Sequence, residues 1–319
     1  MFIEQIHDGE VVHTITILIN SLEAEKPMAI ELPFLISSAI ALIWMAIGSA
    51  TDLRTREVPD WLNYSLIVIG FAAHALFSIV YTSWLFILQS AAGFALFFLL
   101  GAVMFYTGQW GGGDAKMVMG LGALIGLDLS FTAFPFILSF LINILLVGAL
   151  YGLLFTIYLS LRNWAKLIDA LRIDFRNAQL GKMHGTMWLG ILALLLAFLA
   201  TRNMTLGLAA LILCVFMLTF FYLWVYIRAV EKACMIKEIT PDRLTEGDWI
   251  AKEVRVGNKV LACPKDLGID KKQIGELNKL YKKRRLNTVW IKEGIPFVPT
   301  FFLAYVVTLF VGNIFSLLI

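Results

Sequence analysis

Apolar runs of about 18 or more residues recur along this chain, and each is long enough to cross a hydrocarbon core of about 30 Å. The run "PFLISSAIALIWMAIGSA" at 33–50 is the first of them. Such runs cannot all be packed away in a soluble domain. Only 15% of the residues are charged, against roughly a quarter in soluble domains, and the mean hydropathy is +0.81. The sequence predicts an all-α polytopic membrane protein of about eight transmembrane helices with a small cytoplasmic α+β insert.

The predicted spans fall at roughly 33–51, 62–81, 85–106, 115–127, 131–161, 187–200, 204–227 and 297–319. The fourth and sixth are short and span only if protein or polar backbone completes them. The fifth is overlong. Basic residues set the orientation. With the N-terminus outside, Arg54, Arg56, Lys116, Arg162, Lys166, Arg172, Arg176 and Lys182 face inward, and only Lys26 and Arg202 face outward. Short loops decide topology, so this bias puts both termini outside a plasma membrane and the loops just named in the cytoplasm.

Residues 1–32 read as an extracytoplasmic segment, 33–228 as the main transmembrane domain, 229–296 as a soluble insert and 297–319 as the final span. Within the insert, "DWIAKEVRV" and "NKVLAC" are expected as strands joined by a turn at Gly257 and Asn258. A helix "DKKQIGELNKLYKKRRL" and a strand "NTVWIKEG" follow. The basic run "KLYKKRR" could meet anionic lipid or solvent equally well. Cys214, Cys234 and Cys263 form no CxxC pair, and His7, His13, His74 and His184 have no metal-ligand spacing. His74 lies mid-span, where a hydrogen bond to a neighbouring helix is expected.

Ionisable groups at the edge of a transmembrane helix are costly and usually functional. Asp52 closes the first predicted span and Asp114 opens the fourth, which places both at one membrane face, whereas Asp128 belongs to the other. Gly111, Gly112 and Gly113 precede Asp114. Glycines there give freedom of backbone, close approach by another chain, and free N–H and C=O groups for an extended peptide. Two close carboxylates share a proton: one draws a proton from water while the other donates to a scissile carbonyl. That chemistry needs no metal. The same residues also suit an ion- or proton-coupled transporter using the Asp52/Asp114 pair, or a mere helix cap beside a packing glycine. Gly122-x-x-x-Gly126 reads as such a packing motif.

"DLRTREVPDWLN" and "GGGDAK" together resemble the type IV prepilin peptidase family of GxGD membrane aspartic proteases, in its archaeal prepilin/preflagellin peptidase branch. The first motif has the form D-x-R-x-x-x-[IV]-P-D, beginning at Asp52 and ending in Val58, Pro59 and Asp60. The second supplies Gly111, Gly113 and Asp114. The resemblance implies that Asp52 and Asp114 are catalytic and that Gly111, Gly112, Gly113 and Lys116 belong to the active-site loop. Glu57, Pro59 and Asp60 become candidates for substrate binding. The implied activity removes the short basic leader peptide from type IV prepilin-like or archaellin precursors at the cytoplasmic face. Lys116 either holds the Asp114 charge or marks the membrane interface. Paired CxxC motifs of the bifunctional members are absent, as is the Pro-Ala-Leu motif of presenilin-like intramembrane proteases. No cofactor or metal is expected. The expected partners are the precursor proteins and membrane lipid, with no nucleic acid, and the oligomeric state is open.

Overall fold

A computed structural model of the chain describes residues 32–130, 134–201, 203–256, 259–264 and 266–317. The expected N-terminal segment 1–32 lies almost wholly outside the described residues, as does the Gly257–Asn258 turn. The apolar runs form α1 (Leu32–Thr55), α2 (Asp60–Val80), α3 (Leu85–Tyr106), α4 (Gly112–Ile125) and α5 (Phe136–Arg162). Then come α6 (Trp164–Arg176), α7 (Ala178–Thr201) and α8 (Met204–Val230). After the insert, α10 (Val298–Val311) is the last α-helix.

Among the described residues, six helices are long and apolar enough to cross a membrane: α1, α2, α3, α5, α7 and α8. The chain is thus a multi-pass membrane protein. The expected count of eight is not reached, because α4 and α10 have 14 residues each, or about 21 Å of helix. The helix α4 compensates by being enclosed: Ala115, Met117, Val118 and Gly120 through Leu124 are all buried. A short helix at membrane depth is tolerated when protein surrounds it. The sixth span, expected to be short, is instead 24 residues long. Its helix starts well before the apolar run, through the polar stretch "AQLGKMHGT". The loop expected before it contains α6, whose Leu167 is buried against Ala229 and Val230 of α8.

Two glycines fix how α4 packs. A Cβ on Gly93 of α3 would lie 2.3 Å from the Gly122 carbonyl oxygen, and one on Gly122 would lie 2.5 Å from the Gly93 oxygen. The two backbones therefore touch, and Ser90 Oγ adds a hydrogen bond to the Ala123 carbonyl at 2.7 Å. The principal core joins α1–α5 with α10, through Met45, Leu66, Phe97, Leu121, Phe140 and Phe301 among others. His74 is buried, but Nδ1 meets the Gly70 carbonyl of its own helix at 3.0 Å rather than a neighbour.

The insert is α+β. It contains β1 (Ile236–Ile239), β2 (Trp249–Ile250), β3 (Val254–Val256), β4 (Lys259–Ala262), α9 (Lys271–Lys282) and β5 (Val289–Lys292). The antiparallel sheet runs β1-β5-β2, and β3 pairs with β4. The stretch expected as one strand over 248–256 is broken into β2 and β3, and β1 was not expected at all. Asp270 caps α9, accepting from the Gln273 N–H, while Gln273 Oε1 accepts from the Asp270 N–H. Leu244, Ile250, Leu261, Ile269, Leu277 and Val289 make a separate small core.

Candidate active site

The last turn of α1 and the first turn of α4 meet at one end of the bundle. Asp52 lies in the former, 5% exposed. Its Oδ2 accepts a hydrogen bond of 3.0 Å from the Val298 N–H, the first residue of α10. Such an N–H is one of the donors that a helix start leaves unpaired, so a carboxylate suits it. Asp114 is half-buried and is the third residue of α4, where its carboxylate accepts from the Gly111 N–H at 3.2 Å. Because glycine has no side chain, this bond alone caps the helix start.

Packing joins the two acid-bearing segments. A Cβ on Gly113 would lie 3.1 Å from Val58 Cβ, so the loop after Asp52 rests on the loop before Asp114. The carboxylates are near enough for the charge of Asp52 to act on Asp114, yet no hydrogen bond between them occurs among the described residues. Each instead takes a backbone donor.

The remaining sequence candidates divide. Lys116 pairs with Asp60 at 2.6 Å and sits 5.2 Å from the centre of the Tyr64 ring, so its partner is Asp60, not Asp114. Pro59 precedes α2 and ends the loop, while Glu57 is exposed. Gly111 is extended at φ −68° and ψ 163° and leads into α4. Gly112 opens that helix, half-buried.

Residues 39–157 match the type IV leader peptidase family. The matched stretch holds both aspartates, and runs from within α1 to within α5. The preflagellin peptidase of Methanocaldococcus jannaschii is 38% identical over 91 residues, which is 28% of this chain and 38% of that protein. The preflagellin peptidase of Methanococcus maripaludis is 37% identical over 91 residues, 28% of this chain and 39% of the relative. A third, from Methanococcus voltae, is 35% identical over 91 residues, with coverages of 28% and 39%. The chain therefore spans well under half the length of these curated relatives.

Several residues around the matched segment escaped the sequence reading. Trp110, 3% exposed, lies beside the glycines, its ring 5.5 Å from Phe297 and 5.2 Å from Phe301 of α10. Tyr151 of α5 is close enough to feel the charges of Asp52 and Arg56. Asn63, wholly buried near the start of α2, has neither side-chain polar atom hydrogen-bonded among the described residues. The proline-aromatic stretch "GIPFVPTFF" was the available signal for the first of these. Outside the membrane-spanning helices, burial pushes the Asp248 carboxyl above the usual carboxylate range. The Thr245 N–H opposes that rise, and the nearby carboxylates of Glu57 and Glu293 add to it.

Proposed function

We propose that this chain is a membrane aspartic endopeptidase of the GxGD type that removes a short basic leader from preflagellin- or prepilin-like precursors. The observation that carries the reading is the convergence of Asp52 and Asp114, from two different helices, at one end of the bundle, where Val58 after the first packs on Gly113 before the second. The family match over 39–157 supports peptide cleavage as the chemistry, and the named relatives support the class of substrate.

In the proposed reaction one acid takes a proton from water while the other, protonated, donates to the scissile carbonyl oxygen. Water adds to the carbonyl carbon, the C–N bond breaks, and a proton passes to the leaving amine. Substrate binding brings the acids, each now engaged with backbone, onto one water molecule. Gly111 and Gly112, with no side chains, let an extended substrate backbone approach Asp114, whereas Gly113 is taken up by its packing on Val58. Glu57 is exposed in the loop that follows Asp52 and is proposed to receive basic leader residues, whereas Asp60 is already engaged by Lys116.

The orientation belongs to the same proposal: the end of the bundle carrying both acids and the insert faces the cytoplasm, and both termini face outward. The inward excess of short-loop basic residues supports it. The test is incubation of the purified chain with preflagellin- and prepilin-type precursors, followed by N-terminal mass analysis of the products. Cleavage directly after the basic leader is expected. Asp52→Asn and Asp114→Asn should each slow it by about a hundredfold to ten-thousandfold while the protein still inserts. Wild-type cleavage by either variant would remove the dyad, and ion-coupled uptake without any peptide product would point to a transporter.

A further inference from the structure

The reaction just described makes no use of the insert, yet the insert touches both acid-bearing loops. The ring of Trp249, the first residue of β2, lies against Gly108 in the turn that precedes the glycines; a Cβ there would fall 2.9 Å from the ring. Gly108 has φ +71°, a conformation glycine adopts without steric cost, so both the shape of this turn and the fit of the indole require glycine.

The second contact meets the loop after Asp52. Arg56 Nη1 donates to the Gly294 carbonyl at 2.8 Å, and its guanidinium lies 5.6 Å from the centre of the Phe155 ring. Arg56 has φ +61°, in the left-handed region that strains a residue with a Cβ. Glycine would relieve that strain, but only the long cationic side chain reaches Gly294 and Phe155.

The two contacts share one rigid frame. In the sheet, Trp249 pairs directly with Lys292 of β5, the central strand. Gly294 follows just beyond β5, and the same strand runs on into α10, whose Val298 N–H holds Asp52. On the other side, the Glu293 N–H donates to the Met235 carbonyl at 2.8 Å, which ties the sheet to the π-helical turn (Glu231–Met235) that follows α8. An independently tethered domain would need only its two chain connections. The Trp249 contact comes in addition to them, and the Arg56 bond pins one of them, at Gly294.

We propose that the insert is a bracket across the two aspartate-bearing loops, with Trp249 and Arg56 as positioning residues for the peptidase reaction proposed above, on which this role rests. Its span sets how Asp114 approaches Asp52. Two measurements on the full chain test it: peptide-level hydrogen exchange of segments 52–58 and 107–114, and kcat and KM for a preflagellin-type precursor. Trp249→Ala should speed exchange in 107–114 about tenfold and lower kcat about tenfold or more, with KM within about twofold, because misplacement acts on the chemical step. Trp249→Phe, which keeps an aromatic ring on Gly108, should restore both. Arg56→Gly should leave thermal stability equal or higher and still loosen 52–58 and lower kcat, which a purely local backbone role would not produce.

Wild-type exchange in both loops with wild-type kcat in Trp249→Ala and Arg56→Gly would overturn the bracket. So would a rise in KM alone, which would make the insert a substrate-binding surface. If Trp249→Ala fails to fold, Trp249→Leu and Arg56→Gly decide the question by the same criteria. If the wild-type chain cuts no precursor, the peptidase reading fails while the exchange data still establish or overturn the bracket.

Discussion

Asp52 and Asp114 each hold a backbone N–H, one from α10 and one from Gly111, and this is why single residues outside the acid pair carry weight. Gly108 is one. Replacing it with alanine imposes about 1–2 kcal/mol for the left-handed backbone and drives a methyl group into the Trp249 ring. Gly108→Ala should lower the unfolding temperature and loosen 107–114, with both changes seen by hydrogen exchange and thermal unfolding in detergent. Asp248 is another, with the opposite sign. Burial keeps its proton bound in the folded chain to a higher pH than in the unfolded chain, whose value is the ordinary 3.8. Between the two titrations the folded state binds more protons, so stability contributed by this group falls as pH rises through that window. Asp248→Asn, whose amide oxygen still accepts from Thr245, should unfold at a higher temperature than wild type near neutral pH. The gap should close as the pH drops below 3.8. A gap that stays constant with pH would assign the gain to something other than this carboxyl.

Among the elements, α4 shows how much was legible in the sequence and where legibility stopped. Gly122 and Gly126 announced a close crossing, and the structure has it, with Gly93 of α3 as the partner. No local pattern could name Gly93, since the partner of a packing glycine is chosen by the fold. A branched side chain at the crossing has nowhere to go: the Gly93 oxygen and Phe97 Cβ stand 2.5 and 2.7 Å from a new Cβ. Gly122→Val should therefore cost about 3 kcal/mol or more, read as lost expression or a lowered unfolding temperature, and should abolish cleavage by displacing Asp114. The acids themselves were legible because charge is rare in apolar helices. Trp110, Tyr151 and the Val298 donor were not, because they gain meaning only when α5 and α10 fold back; the Val298 bond spans 246 positions of chain. The count of eight spans is not confirmed, for a related reason. Run length measures apolarity and says nothing of whether neighbours enclose a helix, and enclosure is what permits α4 to be short.

At the scale of the whole molecule, the contacts gather one set of loops at one end: Val58 on Gly113, Lys116 on Asp60, Trp249 on Gly108 and Arg56 on Gly294. The inward-assigned basic residues Arg54, Arg56 and Lys116 belong to that same end, and Arg162 ends α5, whose Phe155 is nearby. The charge rule and the packing thus group the same loops by independent routes: one counts basic residues, the other records which side chains touch. Only the first says which side of the membrane that end faces, so sidedness rests on it alone. Lys282, at the exposed end of α9, gives a direct test. In a chain with Cys214, Cys234 and Cys263 replaced by serine, Lys282→Cys should react with a membrane-impermeant maleimide in inside-out vesicles and stay unlabelled in intact cells. Labelling in intact cells would place the acids and the bracket outside. A precursor whose basic leader is held in the cytoplasm could then not reach them, and the proposed substrate would have to be abandoned even if the dyad proved catalytic.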